Sequence, residues 1–164
     1  MFFVRKASSH DYLDIANIHF TSWHAAYADV LPASYVQQKN DLSEKIIMWQ
    51  KLLSHPSVLV WIAYDDNHNN LGFIGYFATA DNYEITTLYV LPEYHSLGIG
   101  TALIDVSLQY LLNTNANAHF YLWVLKTNLN AINFYEKLGF VANGENSEEL
   151  YESTRIIDIK MMKN

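Results

Sequence analysis

The stretch Thr87-Leu-Tyr-Val-Leu-Pro-Glu-Tyr-His-Ser-Leu-Gly-Ile-Gly-Thr-Ala-Leu-Ile104 passes from apolar, strand-forming residues through a short turn into two glycines that open an amphipathic segment. Gly98 and Gly100 stand where a loop becomes a helix. Backbone N–H groups can converge there on an anion with no Cβ in the way, and the helix dipole adds to the attraction. The pattern predicts a phosphate or diphosphate cradle, although a glycine before a helix also serves plain turn chemistry. It is not a nucleotide P-loop, because Thr101-Ala102 follows Gly100 where a Lys-Ser/Thr pair is required. Nor is it a dinucleotide fingerprint, because Leu103 takes the place of the third glycine.

A second stretch, Asn128-Leu-Asn-Ala131-Ile-Asn-Phe134-Tyr135-Glu-Lys-Leu138-Gly139-Phe140, lies downstream. Together the two resemble the Gcn5-related N-acetyltransferase (GNAT) superfamily. Its phosphate loop reads Gln/Arg-x-x-Gly-x-Gly/Ala, and its later helix reads Asn-x-x-Ala-x-x-Phe-Tyr-x-x-x-Gly-Phe. The second motif matches at every specified position, whereas the first departs at its opening, where His95 stands for Gln or Arg. The order of strands, loops and helices fits the resemblance from Phe2 to Met162. It implies an α/β fold with a central mixed, mostly antiparallel twisted sheet of about seven strands flanked by about four helices, splayed between the fourth and fifth strands. It also implies acetyl-CoA as cofactor.

Composition narrows the rest. At 164 residues the chain is expected to form a single domain, 1–164, and with 51 % hydrophobic against 16 % charged residues it is globular. Met1-Phe-Phe-Val-Arg-Lys6 lacks the apolar run and small-residue cleavage site of a signal peptide, and no stretch approaches the ~18 apolar residues of a membrane span. Cytoplasmic residence without a membrane partner is therefore expected. The absence of cysteine excludes disulfides, cysteine-bearing zinc sites and a cysteine-bound acyl intermediate, which favours direct attack by an acceptor on a bound thioester. A net charge of −7 argues against nucleic acid as partner and favours cationic small molecules. The seven histidines include no His-x-x-x-His pair, so no metal site is expected. A homodimer is an open possibility for the assembly.

Along the chain, Phe2 to Lys6 reads as a strand, and Ser8 or Ser9 can cap a helix in which Ala16, Phe20, Trp23 and Tyr27 recur at helical spacing. These aromatics are either core or, for Trp23 and Tyr27, part of an acceptor pocket. Leu31-Pro32 breaks the pattern before a second helix that runs to Ser54. Val58 to Tyr64 and Gly72 to Ala80 form a hairpin, followed by a strand from Asn82 to Leu91. Ile85 and Leu88 cannot share a face of a regular strand, so a bulge is expected near Thr86 to Leu88. A helix from Gly98 to Leu112 shows Ile99, Leu103, Val106 and Tyr110 on one face; His119 to Leu125 reads as a buried parallel strand, and a helix follows Asn128. Phe140 to Gly144 and Thr154 to Met162 complete the sheet.

The resemblance carries roles residue by residue. The cofactor arm would meet Leu88, Tyr89 and Val90 on the bulged strand, its phosphates the loop His95, Ser96, Leu97, Gly98, Ile99, Gly100 and Thr101, and the Asn128 amide would hold the arm. Asn128 serves equally well as a helix cap. A lysine-type amine is almost wholly protonated near neutrality, a handicap of about 4 to 5 kcal/mol. Glu84 is the expected base, directly or through water, and alternatively a solvated strand-edge carboxylate. The Val90 N–H can polarise the thioester carbonyl. Tyr135 is the expected acid for the departing thiolate, with a core tyrosine as the plainer reading. Ribosomal-protein N-terminal acetyltransferases carry a glutamate five residues before the motif asparagine; Trp123 stands there. With only histidine as an adjustable charge in the loop, coenzyme A affinity is expected to rise as pH falls from about 8 to about 6. The reading is a transfer of acetyl to the primary amine of a small cationic acceptor. Its rivals are a protein or peptide acetyltransferase and a noncatalytic acyl-CoA-binding module.

Overall fold

The computed structural model describes residues 1–163. The chain runs β1 (Phe2–Lys6), α1 (Tyr12–Tyr27), α2 (Ala33–Lys39), α3 (Leu42–Leu52), β2 (Val58–Asp65), β3 (Asn70–Thr79) and β4 (Asn82–Val90). It continues through α4 (Ile99–Thr114), β5 (His119–Leu125), α5 (Leu129–Lys137), β6 (Val141–Tyr151) and β7 (Thr154–Lys163). The strands form one seven-stranded sheet in the order β1-β2-β3-β4-β5-β7-β6, antiparallel except for the β4–β5 pair.

Three local expectations are corrected. Between Leu31-Pro32 and the helix that ends near Ser54 lies an additional short helix, α2, which Pro32 precedes at a helix start where its fixed φ fits and its missing N–H is not needed. β6 continues past Gly144 to Tyr151, with a register shift between Ala142 and Asn146. Almost all of its residues are exposed, so no apolar alternation marks them as a strand. The buried stripe of α4 is Ile99, Leu103, Ile104, Ser107, Leu108 and Leu111, while Val106 and Tyr110 face outward. Ser107 is tolerated inside because its hydroxyl pairs with that of Tyr76 at 2.7 Å and donates back to the Leu103 carbonyl at 2.6 Å.

The sheet is covered on both faces. On one, α4 packs with Ile74, Tyr76, Ile85 and Leu122. On the other, Ile15, Ile18 and Trp49 from α1 and α3 close over Val60, Ile62 and Phe73. Here His19 accepts a hydrogen bond from Trp49 Nε1 at 3.0 Å and stacks on Tyr89 at 5.0 Å between ring centres. Burial, helped by the charge of Lys45, pushes His19 down to about 3, so it is a neutral core residue. The deepest face of α1 is thus Ile15, Ala16, Ile18, His19 and Ser22, and the aromatics Phe20, Trp23 and Tyr27 are half-buried beside it.

The bulge falls where the sequence places it. β3 pairs Gly75 with Thr87 and then Tyr76 with Ile85, which leaves Thr86 unopposed. The parallel β4–β5 ladder runs from Asn82–His119 to Ile85–Leu122 and stops there, so the two strands separate beyond the bulge. Among the described residues no helix is long and apolar enough to cross a membrane, and no cluster of His, Asp and Glu is placed to hold a metal.

Close approach of β3 to the bulged strand requires glycine. A Cβ at Gly72 would lie 2.7 Å from the Tyr89 carbonyl oxygen, a backbone atom that cannot swing aside. Gly72→Ala should therefore destabilise the protein by about 1 to 3 kcal/mol, seen as a lower urea midpoint with an unchanged slope.

Candidate active site

The gap between β4 and β5 opens into a cavity of about 590 Å³, floored by Leu122, Trp123 and Val124 and roofed by α5. Tyr135 and Phe134 line it from α5, where the Asn128 side chain caps the helix by accepting from the Ala131 N–H at 3.2 Å. That side chain also faces the cavity, so its two readings are compatible.

One end of the cavity is the start of α4. Gly98 is the N-cap residue, at φ 78°, and no side chain caps this terminus. The first-turn N–H groups of Ile99, Gly100 and Thr101 therefore have no intrahelical partner and stand at the positive end of a 16-residue dipole. A Cβ at Gly98 meets nothing within 4 Å, so it is the left-handed backbone and not crowding that favours glycine there. At Gly100 a Cβ would come within 3.3 Å of the Phe134 ring. These features fit a diphosphate.

The walls follow from the strand. Leu88, Tyr89 and Val90 line the cavity, with Ser96 and His95 from the loop. Thr87 lines it too, and its buried hydroxyl has no partner. Leu97 does not; its side chain is 60 % exposed and points away. His95 turns its ring onto the end of β4, with Nε2 2.8 Å from the Val90 carbonyl oxygen. Among the described residues no Asp, Glu, Lys or Arg lines the cavity. Its phenols are correspondingly hard to ionise: burial pushes Tyr135 and Tyr89 well above the usual tyrosine value, and raises Tyr27 as well.

The residues assigned to the acceptor fall differently. Tyr27 lines the cavity from α1, and Trp23 packs against it at 4.8 Å without lining the cavity itself. Lys45 Nζ lies 5.4 Å from the centre of the Trp23 ring. Glu84 is also outside the lining. It sits just before the strands separate, and the Tyr121 hydroxyl donates to its Oε2 at 3.1 Å.

Ser22, Ala26 and Asp158 escape a reading by sequence. Ser22 and Ala26 line the cavity from α1, one helical turn apart, on the small-residue face between the aromatics. The i, i+4 spacing was the available signal. Asp158, on β7, shares a sheet face with Ile156 and lies close enough to Tyr27 and Tyr35 to add its charge to the upward shift that burial gives both phenols. Partial burial and the nearby Glu149 carboxylate raise Asp158 itself above the usual range. Glu149 in turn accepts from the Tyr35 hydroxyl at 2.8 Å. Nothing in a strand of alternating charged and aliphatic residues distinguishes Asp158 from a surface carboxylate.

Known proteins carry the same architecture. The N-acetyltransferase PaiA from Thermoplasma acidophilum, solved with coenzyme A, superposes with a TM-score of 0.77 at 23 % identity, covering 99 % of this chain and 98 % of that one. An uncharacterized N-acetyltransferase of Bacillus subtilis, YuaI, is 29 % identical over 140 residues, which is 81 % of this chain and 76 % of that protein. The spermidine N(1)-acetyltransferase of Vibrio cholerae is 36 % identical over 76 residues, 46 % of this chain and 43 % of its own length. The acetyltransferase (GNAT) family model matches residues 18–140, and the chain belongs to that family.

Proposed function

We propose that the protein transfers the acetyl group of acetyl-CoA to the primary amine of a small, cationic acceptor within a ternary complex. The observation that carries this reading is the cavity through the separated strands. It has an uncapped helix N-terminus at one end and a buried, protonated Tyr135 inside, and it leads to Tyr27 on the opposite face of the sheet. A noncatalytic acyl-CoA-binding module would need the cradle but not the buried phenol. Bound acetyl-CoA supplies an activated thioester: the amine nitrogen bonds to its carbonyl carbon, the C–S bond breaks, and one proton leaves nitrogen while another reaches sulfur.

The chain's residues serve these proton movements. Burial keeps Tyr135 protonated over the whole working range, so it can donate to the departing sulfur. The same burial that raises the phenol also raises the proton affinity of a thiolate beside it, so donation is not made unfavourable by the shift. Glu84 stands one strand position outside the cavity, held by Tyr121, and is suited to taking the amine proton through an intervening water.

Charge on the acceptor side favours a cation. Asp158 is half-buried with no hydrogen bond or ion pair in the structure among the described residues, beside Glu149 and the aromatic rings of Tyr27 and Tyr35. An ammonium there would relieve two unfavourable terms at once, desolvation and like-charge repulsion. Polyamines meet this description, and a spermidine acetyltransferase is among the relatives.

The direct test is a panel of amines assayed by release of free coenzyme A thiol; no turnover of any small amine would overturn the reading. Within that assay, Tyr135→Phe should lower kcat by about 10²-fold while leaving acetyl-CoA affinity nearly unchanged. Glu84→Gln should be most damaging near neutrality and least at high pH, where free amine is plentiful; a loss uniform in pH would assign Glu84 to binding. Asp158→Asn should raise KM for a diamine by about tenfold and leave KM for a monoamine, which has no second ammonium to place beside Asp158, nearly unmoved. Because Asp158 is shifted upward, it loses its charge earlier than an ordinary carboxylate as pH falls, and the wild-type KM for the diamine should climb on that acidic side.

A further inference from the structure

One face of the sheet carries a row of polar side chains that crosses four neighbouring strands, β4, β5, β7 and β6. Glu84 on β4 and Tyr121 on β5 are partners in the parallel ladder, and the Tyr121 hydroxyl donates to Glu84 Oε2 at 3.1 Å. On β7, Lys160 Nζ lies 4.8 Å from the centre of the Tyr121 ring. On β6, Glu145 accepts from the same Nζ, through Oε1 at 3.3 Å and Oε2 at 3.2 Å. Glu145 reaches Lys160 from the break in register between Ala142 and Asn146, where Gly144 adopts φ 89° and Asn143 bonds both the N–H and the carboxylate of Glu145. Lys160, with Asn143 adding to it, holds the Glu145 carboxyl below its usual range. The row runs beside the cavity: Lys160 pairs in register with Trp123, which lines it, and Nζ lies 5.8 Å from the centre of that ring.

Tyr121 is half-buried and joins none of the apolar clusters formed by the described residues, so packing alone does not fix its ring. A ring tied down only at its hydroxyl can still change rotamer, and a cation anchored over its face removes that freedom. As a surface ion pair, Lys160 and Glu145 add little to stability by themselves. We propose that Lys160, anchored by Glu145, is a positioning residue for the Glu84 base: it holds the Tyr121 ring so that the phenol occupies Oε2 and leaves Oε1 for the water that carries the amine proton. One proton passes from the amine nitrogen through that water to Glu84, and Tyr121 and Lys160 keep theirs. Burial, and after it the Glu84 carboxylate, raise the Tyr121 phenol, so it remains a donor throughout. The catalytic effect rests on the reading of Glu84 as the base; the hold on Tyr121 does not.

Three-bond χ1 couplings of Tyr121 in the ligand-free protein test the hold alone: a single rotamer is expected in wild type and averaged couplings in Lys160→Met, and an unaveraged rotamer in both overturns the proposal. The amine assay tests the consequence through a double-mutant cycle. Lys160→Met should lower kcat by about threefold to tenfold and leave KM for acetyl-CoA unmoved, whereas in a Tyr121→Phe background the same change should cost less than about twofold. Lys160→Arg, which keeps a cation over the ring and a partner for Glu145, should stay within about twofold of wild type. Glu145→Gln frees the lysine and should lower kcat in the same direction, and it serves if Lys160→Met fails to fold. An equal loss in both backgrounds, an unchanged kcat in Lys160→Met, or a rise in KM for acetyl-CoA in its place would sink the proposal. If Glu84→Gln turns over at the wild-type rate, the base reading falls and the catalytic effect with it, while the couplings still decide whether Lys160 holds Tyr121.

Discussion

One unpaired residue separates this sheet into two halves with different work. Thr86 has no partner on β3, and the extra residue re-aims everything after it, so that β4 can follow β5 through Ile85 and no further. Everything at the candidate site depends on that divergence. Backbone groups that a continuous ladder would consume are left facing a cavity, and α4 and α5 deliver their N-terminal ends to its rim. Glycines at 72 and 75 let β3 stay close to the distorted strand, where Cβ atoms would meet Tyr89 and Thr87. Deforming a strand leaves polar groups unpaired, and Thr87 is one that is both buried and without a partner.

The second constraint is electrostatic. No Asp, Glu, Lys or Arg among the described residues lines the cavity, so an anion at the start of α4 is met chiefly by backbone N–H groups and a helix dipole. That suits a ligand whose remaining length is uncharged. Burial, with the neighbouring phenols adding to it, keeps Tyr135 and Tyr89 protonated. Across the sheet the balance reverses, with Asp158, Glu149 and Glu84 on the side where the proposed function puts the acceptor. One sheet thus carries backbone donors on one side and carboxylates on the other.

Much of this was legible in the chain itself. Gly98-Ile-Gly100 and the run from Asn128 to Phe140 are local patterns whose spacing maps directly onto a helix start and a helix face, and the parity conflict between Ile85 and Leu88 located the bulge. What was not legible depends on contacts distant in sequence. Ser107 belongs to the core because Tyr76 meets it from 31 residues away, and no window over α4 contains that fact. Likewise Asp158 gains its setting from α1 and α2, and His95 its partner from the end of β4. The extension of β6 was hidden for another reason. A strand exposed along its length carries no apolar alternation, and backbone pairing to β7 alone defines it.

That exposed strand has a consequence for the protein in concentrated solution. β6 forms an open border of the sheet, 11 residues long, the kind of edge that recruits a second chain into cross-molecular pairing. It carries Glu145, Glu148 and Glu149, with the break in register near Gly144 kinking its ladder. The cations that answer Glu145 and Glu148, Lys160 and Arg155, lie on β7, inside the chain's own hairpin. Lys39, on α2, answers Glu149 at 4.0 Å, so the glutamates of the border are matched within their own chain and offer a second border no unpaired charge to bind. A border that is charged along its length and kinked in its ladder is a poor template for a second copy, and it guards the molecule against growing into fibrils along this 11-residue edge.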